Sequence, residues 1–337
     1  MKAILCQEPF DLCLVERPAP LPREGDVLVR IDRVGLCGTD YHIFSGRHPY
    51  LSYPRVIGHE LAGRVESAPA GSPFRQGQLV TINPYLSCGS CIGCRKGRPN
   101  ACVNIQVLGV HTDGGMCELV SVPERAVLDA TGLTPDQAAM IEFLAVGAHA
   151  VARGAVAPQS RVLVVGAGPI GVATALFARL EGAAVTLVDR RPARLAYARE
   201  HLGFKDAVPS GEGLLDSLAA KSDGEMFDIV FEATGSIESM GQSLAYVATG
   251  GTLVFVGVAP GEVRLSDPEF HKREATLLGS RNALAEDFER VIAAIKAGLI
   301  PTSALQTHSF AAEELPTRLS ELIQDADHVL KAIAYFE

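Results

Sequence analysis

No long basic run stands in this sequence. Its 30 Lys and Arg are outnumbered by 39 Asp and Glu, giving a net charge of −9 spread along 337 residues. A partner recognised through its phosphate backbone needs a basic patch or stripe, so no nucleic-acid partner is expected. The chain also lacks a membrane-length apolar run. Its greasiest segment, RVLVVGAGPIGVATALFARL, is broken by glycine and arginine before about 18 apolar residues accumulate, so no membrane partner or span is expected. The opening MKAILCQEPFDLCLVERPAP contains no export-signal core, because Gln7, Glu8, Pro9 and Asp11 interrupt it. The expected setting is the cytoplasm, where thiols stay reduced.

What is present is a composition of 47% hydrophobic and 20% charged residues, enough for a large buried core. At about 100–200 residues per domain, the length suggests two domains.

Four of the eight cysteines fall in SCGSCIGCRKGRPNAC, as Cys88, Cys91, Cys94 and Cys102. In a reducing compartment such a cluster is expected to bind metal rather than to form disulfides. Structural zinc takes four thiolate or imidazole ligands in a closed tetrahedron, and one loop can supply all four. Glycines 89, 93 and 97 let the backbone turn around the ion. A redox pair or an iron–sulfur cluster uses the same residue type, but the third cysteine so close to the second favours four-thiolate binding. No basic helix-forming segment follows, so a DNA-contacting finger is not expected. Cys6, Cys13 and Cys117 have no partner pattern and read as core residues.

The segment 161–191 runs from a short apolar stretch, Val162 to Val165, into Gly166, Gly168 and Gly171, and then into a helix-periodic stretch through Leu180. A second strand-like run ends at Asp189. In that context the glycine pattern is a specific sign of a dinucleotide site. Gly166 makes the turn, Gly168 lets the backbone approach a pyrophosphate, and Gly171 packs helix on strand, with the phosphates at the helix start beside Pro169 and Ile170. Asp189 would accept from the adenosine ribose hydroxyls and repel a 2′-phosphate, which points to NAD. Arg190 and Arg191 work against that preference, and Arg194 is a further cofactor candidate.

Alternating units continue through FDIVFEATG, a helical GSIESMGQSLAYVATG, the strand TLVFVGV (252–258) and ATLLGS. A doubly wound parallel sheet follows. Thr234, Val256, Gly257, Val258, Ser280 and Arg281 are placed to line its cofactor edge. His271, Lys272 and Arg273 are expected near the same edge, with Lys272 and Arg273 reading first as a solvated loop.

Before residue 150 the chain is rich in short strand-like segments, interrupted by GLCGTDYHIF, VIGHELAGRV and MIEFLAVGAHA. Each island carries a metal-competent residue. Together with the four-cysteine lobe, GVHTDGG and VVGAGPIG, and in this order, they resemble the zinc-dependent medium-chain alcohol and polyol dehydrogenases from end to end. That resemblance implies an α/β protein: a GroES-like β-rich catalytic domain at 1–147 with its zinc lobe at about 84–104, a Rossmann NAD-binding domain at 148–282, and a return segment at 283–337.

The resemblance further implies Cys37, His59 and Glu60 as catalytic-zinc residues, with Glu142 as a fourth ligand or a close neighbour. Which carboxylate binds at rest is left open. Thr39 and His42 resemble the family's proton relay, and Asp40 reads as a brace for the loop. The family commonly has Glu-Pro where this chain has Glu142-Phe143, which puts the loop geometry there in question.

The implied reaction is NAD-dependent oxidation of a secondary alcohol: zinc polarises the hydroxyl, Thr39 and His42 remove the proton and NAD takes the hydride. HPYLSYPRVIGHE, VHTDGGMCELVSVP and SDPEFHKREATLLGSRNALAEDF are most similar to the L-galactonate-type sugar-acid branch. Neutral polyols and then threonine come next as substrates, and a non-catalytic NAD sensor is the alternative from another class. A homo-oligomer, dimer or tetramer, is implied as well.

Overall fold

The computed structural model describes residues 1–48 and 51–336. Pro49 and Tyr50, within HPYLSYPRVIGHE, and Glu337 lie outside the described residues. Internal contacts divide the chain into one unit of Met1–Phe143 with Ala283–Glu337 and a second of Leu144–Asn282. The first division falls inside the helix Ile141–Arg153.

The first unit is organised around the strand Asp26–Gly35, whose VLVRIDRVG alternation buries Val27, Val29, Ile31 and Val34. It pairs antiparallel with Glu60–Ser67, with Leu119–Pro123 and with Lys331–Tyr335 near the end of the chain. Gly35 stands opposite both Glu60 and Ile333, so three distant segments meet at one cross-strand row. Beyond that row the Leu36 N–H donates to the Ala332 carbonyl at 2.9 Å, which brings Lys331 alongside Leu36. The GLCGTDYHIF island then becomes the helix Gly38–Phe44, with Cys37 at its N-cap.

The second unit is a six-stranded sheet, parallel throughout, in the order Ala207–Pro209, Ala184–Asp189, Arg161–Val165, Phe227–Glu232, Val247–Phe255, Thr276–Gly279. By sequence this is 3-2-1-4-5-6, with the strand order reversing beside Arg161–Val165. Val162 to Val165 are buried, as a central parallel strand covered on both faces requires. The α/β architecture read from the sequence is the one observed.

Two local readings need correction. The strand expected at 252–258 spans Val247–Phe255, so Val256, Gly257 and Val258 follow its carboxyl end. The preceding helix is correspondingly shorter, Ile237–Gln242 followed by one turn of 3-10 helix at Ser243–Tyr246. The Ala-Thr-Gly-Gly stretch is poor in helix formers, and it forms the irregularity between Val247 and Thr252, both of which pair with Phe227–Glu232.

Candidate active site and metal centres

In the four-cysteine lobe the sulfurs of Cys91 and Cys94 lie 3.5 Å apart, those of Cys91 and Cys102 3.7 Å, and those of Cys88 and Cys102 3.4 Å. A disulfide needs about 2.05 Å. A zinc tetrahedron with Zn–S near 2.3 Å has sulfur–sulfur edges of about 3.8 Å, so the four thiols already stand close to that arrangement. A Cβ on Gly93 would come within 2.8 Å of the Ala101 carbonyl oxygen, which explains the glycine inside the loop. Hydrogen bonds from the Ser90 and Cys91 backbone lower the Cys88 thiol to about 5, whereas burial and the neighbouring thiols push Cys94 up to about 11. Cys117, in contrast, is pushed up to about 12 by burial and belongs to the core.

At the second centre, one donor atom each from Cys37, His59 and Glu60 lie within 4.8 Å of one another. Asp40 ties their two segments together: it accepts from the Cys37 N–H at 2.9 Å and from the Gly58 N–H at 3.1 Å. Its role is thus the brace expected of it. His59 is buried and its Nδ1 has no hydrogen-bond partner, standing 3.9 Å from Asp40 Oδ1. Burial alone would lower the His59 pKa, but the negative groups Asp40, Cys37 and Glu142 hold it well above the ordinary value. A cysteine sulfur, a histidine nitrogen and a carboxylate oxygen gathered this closely are a donor set that zinc accepts, so these residues fit the ion.

Glu60 is fully buried, and its carboxylate occupies the space where a Cβ on Gly35 would be. Lys331 Nζ donates to both Glu60 oxygens at 2.6 Å. Glu142 does not join the trio. It sits at the start of its helix and accepts from the buried Tyr85 hydroxyl. Burial raises the Glu142 pKa, opposed by His59, reinforced by Glu60 and opposed again by the Tyr85 hydrogen bond. Burial and the Glu142 charge in turn push the Tyr85 phenol well above its usual value.

Sequence reasoning missed Tyr85 and Lys331. Lys331 did leave a signal: one charge inside the otherwise apolar run VLKAIAYF implies a buried partner. Tyr85 left none.

Thr39 and His42 lie three residues apart on Gly38–Phe44 and so share a face. The Thr39 hydroxyl is 3.8 Å from the Cys37 sulfur, while His42 is exposed. Desolvation on its packed side, with Arg47 nearby, lowers the His42 pKa. His48 is lowered as well, by burial and by His42, His111 and His59 around it.

In the second unit Gly166 has φ +102°, and a Cβ on Gly171 would collide with the Gly166 carbonyl. Gly168 caps the helix Pro169–Leu180, and a Cβ there would meet Arg194 Nη1 at 3.2 Å. Ile170 sits in the helix's first turn. The Asp189 carboxylate accepts from the Ala167 N–H at 2.7 Å and from the Arg191 N–H at 2.8 Å, which fixes it beside the glycine loop. Arg190 next to it is exposed.

Along the same carboxyl edge, Thr234 donates its hydroxyl to the buried Glu232, and Val256 and Gly257 each donate N–H to the Glu232 carbonyl at 2.9 Å. Val258 is 82% exposed, Ser280 is buried with an unpartnered hydroxyl, and Arg281 is exposed. The cationic trio is the exception. His271 and Lys272 end the helix that precedes Thr276–Gly279, and Arg273 donates to the Val247 carbonyl at 3.1 Å, at the start of its strand. These three lie at the amino edge of a parallel sheet, opposite the edge expected. Arg273 is moreover paired with Glu269 rather than loosely solvated.

Residues 23–132 match the alcohol dehydrogenase GroES-like domain and residues 169–297 the zinc-binding dehydrogenase domain. The chain is 40% identical to L-galactonate-5-dehydrogenase of Escherichia coli K12, covering 100% of this chain and 99% of that protein. The crystal structure of the alcohol dehydrogenase RspB from E. coli CFT073, complexed with NADH, matches with a TM-score of 0.93 at 30% identity, over 100% of this chain and 99% of that one. A zinc-binding dehydrogenase from Sinorhizobium meliloti 1021 bound to NADP matches with a TM-score of 0.92 at 30% identity, over 99% of each chain. Fold and site together define a zinc-type dehydrogenase. The chain belongs to the medium-chain alcohol and polyol dehydrogenase family.

Proposed function

We propose that this protein oxidises a secondary alcohol of a hexonate-like sugar acid to the keto acid, with NAD as acceptor. The observation that carries the substrate class is the end-to-end 40% identity with L-galactonate-5-dehydrogenase. The metal set would be Cys37, His59 and a carboxylate, with Cys88, Cys91, Cys94 and Cys102 holding a second, structural ion. Zinc held at the first set would supply Lewis acidity to the substrate hydroxyl, and NAD held at the glycine loop would supply a hydride acceptor.

The chain's own residues then manage the proton and the cofactor. Thr39, beside the Cys37 sulfur, is placed to take the hydroxyl proton, and His42 on the same helix face carries it towards solvent. Burial on its packed side, and Arg47 beside it, lower the His42 pKa, which favours the neutral ring that can accept. The glycine loop before Pro169 and Ile170 receives the pyrophosphate, and Asp189 the adenosine ribose. Asp189 favours NAD, while Arg190, Arg191 and Arg194 limit how far NADP is rejected. With His271, Lys272 and Arg273 at the other edge, Arg281 joins Arg190 and Arg194 as a cationic candidate for cofactor contact. Neutral polyols are the second reading and threonine the third.

The eight free cysteines suit a reducing, cytoplasmic setting. The exposed edge strand Thr276–Gly279 suits pairing of two chains in a homo-oligomer. The test is NADH formation over hexonates, pentonates, hexitols and threonine, with Cys37→Ser as control. Turnover greatest with a hexonate supports the reading. Preference for a hexitol replaces the substrate class, and unchanged turnover by Cys37→Ser removes the metal assignment.

A further inference from the structure

The turn between the first two strands is strained. Lys2–Glu8 and Asp11–Glu16 pair antiparallel with Glu8 opposite Asp11, so Pro9 and Phe10 alone make the connection. Phe10 has φ +67°. A proline followed by a positive φ is the shape of a type II turn, whose third position ordinarily belongs to glycine because a side chain there is strained. The Phe10 ring is 70% exposed, so burial offers little in return. Neither feature favours stability, and backbone strain that a protein retains gathers where a site needs a fixed geometry.

What the turn touches is the helix Gly38–Phe44, which carries Thr39 and His42. Seven residues are too few for a helix to hold itself in water, so the contacts at its ends decide where it lies. Its start is held by Asp40 on the Cys37 and Gly58 N–H groups. At the other end the last four carbonyls have no partner inside the helix. Those of Tyr41, His42 and Ile43 accept from the Ser45, Arg47 and Gly46 N–H groups just beyond it, at 3.1, 2.8 and 3.0 Å. The fourth, on Phe44, accepts from the Phe10 N–H at 2.7 Å. The Phe10 ring also stands edge-on to the buried Phe44 ring, with centroids 5.5 Å apart and planes at 74°. Gly46 completes the seat, since a Cβ there would come within 2.9 Å of the Pro9 ring.

We propose that Phe10 is a positioning residue of the proton path: the Pro9–Phe10 turn clamps the last turn of Gly38–Phe44, which carries His42, and so fixes where His42 stands relative to the catalytic set. This rests on the reading of Thr39 and His42 as that path. The strained backbone and the exposed ring serve placement rather than stability.

The test compares the full-length wild type with Phe10→Gly, which keeps the turn and its N–H but removes the ring and the strain. Amide hydrogen exchange over residues 38–46, read by mass spectrometry, should speed up several-fold while the thermal midpoint does not fall. With the alcohol that gives the fastest turnover, kcat should drop about tenfold, short of the roughly 10²-fold that an ångström of misplacement can cost, and KM for NAD and for the alcohol should stay unchanged. Added imidazole should restore part of that kcat, as it should in His42→Gln, because a free base then replaces one that is displaced or missing. Phe10→Tyr keeps the ring and should match the wild type. Should Phe10→Gly not fold, Phe10→Ala takes its place, with the same exchange and kcat expected because it too lacks the ring. Unchanged exchange in the ring-less variant overturns the proposal whatever the substrate, and so does faster exchange with wild-type kcat. A change of oligomeric state without faster exchange overturns it as well and makes the ring a contact between copies. A His42→Gln protein with wild-type kcat would show instead that the proton-path reading beneath the proposal is wrong.

Discussion

The four-cysteine lobe and the Cys37, His59 and Glu60 cluster both fit a zinc ion but differ in how charge is managed. The lobe draws its donors from one loop and leaves Cys88 exposed. Four thiolates around a dication close the coordination sphere, which suits a site that only holds structure. The other cluster draws donors from separate segments, buries His59 and Glu60, and sets a lysine against one donor. Three donors leave a fourth position open, which is what a catalytic ion needs.

The sharpest way to break that comparison is to remove one ligand from each of its two sides. Cys37→Ser should lower kcat/KM by about 10³-fold or more, as expected when several kcal/mol of Lewis-acid stabilisation is lost, with thermal stability little changed. Cys91→Ser should do the reverse, lowering Tm by about 5 °C or more while each folded molecule retains most of its kcat. Calorimetry and initial rates on both variants check the pair.

A finer probe is Gly35→Ala, where the added methyl collides with the Glu60 carboxylate. It should cost about 1–3 kcal/mol in denaturant unfolding and loosen the metal of the catalytic set only. The smallest effect concerns the proton path. The His42 pKa is lowered, so the acid limb of the kcat profile should fall below the ordinary histidine value of about 6.5. His42→Gln should remove that limb and lower kcat by about 10²-fold at most.

How much of this was legible in the sequence depends on how local each signal is. The cysteine spacing and the strand, glycine, helix and aspartate order are carried by short stretches, and both name their chemistry directly. The Lys331 contact with Glu60 is not local. It depends on the register of Lys331–Tyr335 against Asp26–Gly35, strands from opposite ends of the chain. Arg273 was misplaced for a related reason: a run of cations says nothing about which edge of a parallel sheet it faces until the strand boundaries are fixed, and Val247–Phe255 begins five residues earlier than its apolar core suggests. Tyr85 reads as any strand residue until Glu142 is folded against it.

The most direct measurement is zinc per chain in wild type, Cys37→Ser and Cys91→Ser, taken together with turnover. Two centres with separate roles predict about two zinc ions in the wild type and about one in each variant, with turnover lost only in Cys37→Ser. About two ions retained by Cys37→Ser, or turnover abolished in a folded Cys91→Ser protein, would contradict the division of labour between the two centres.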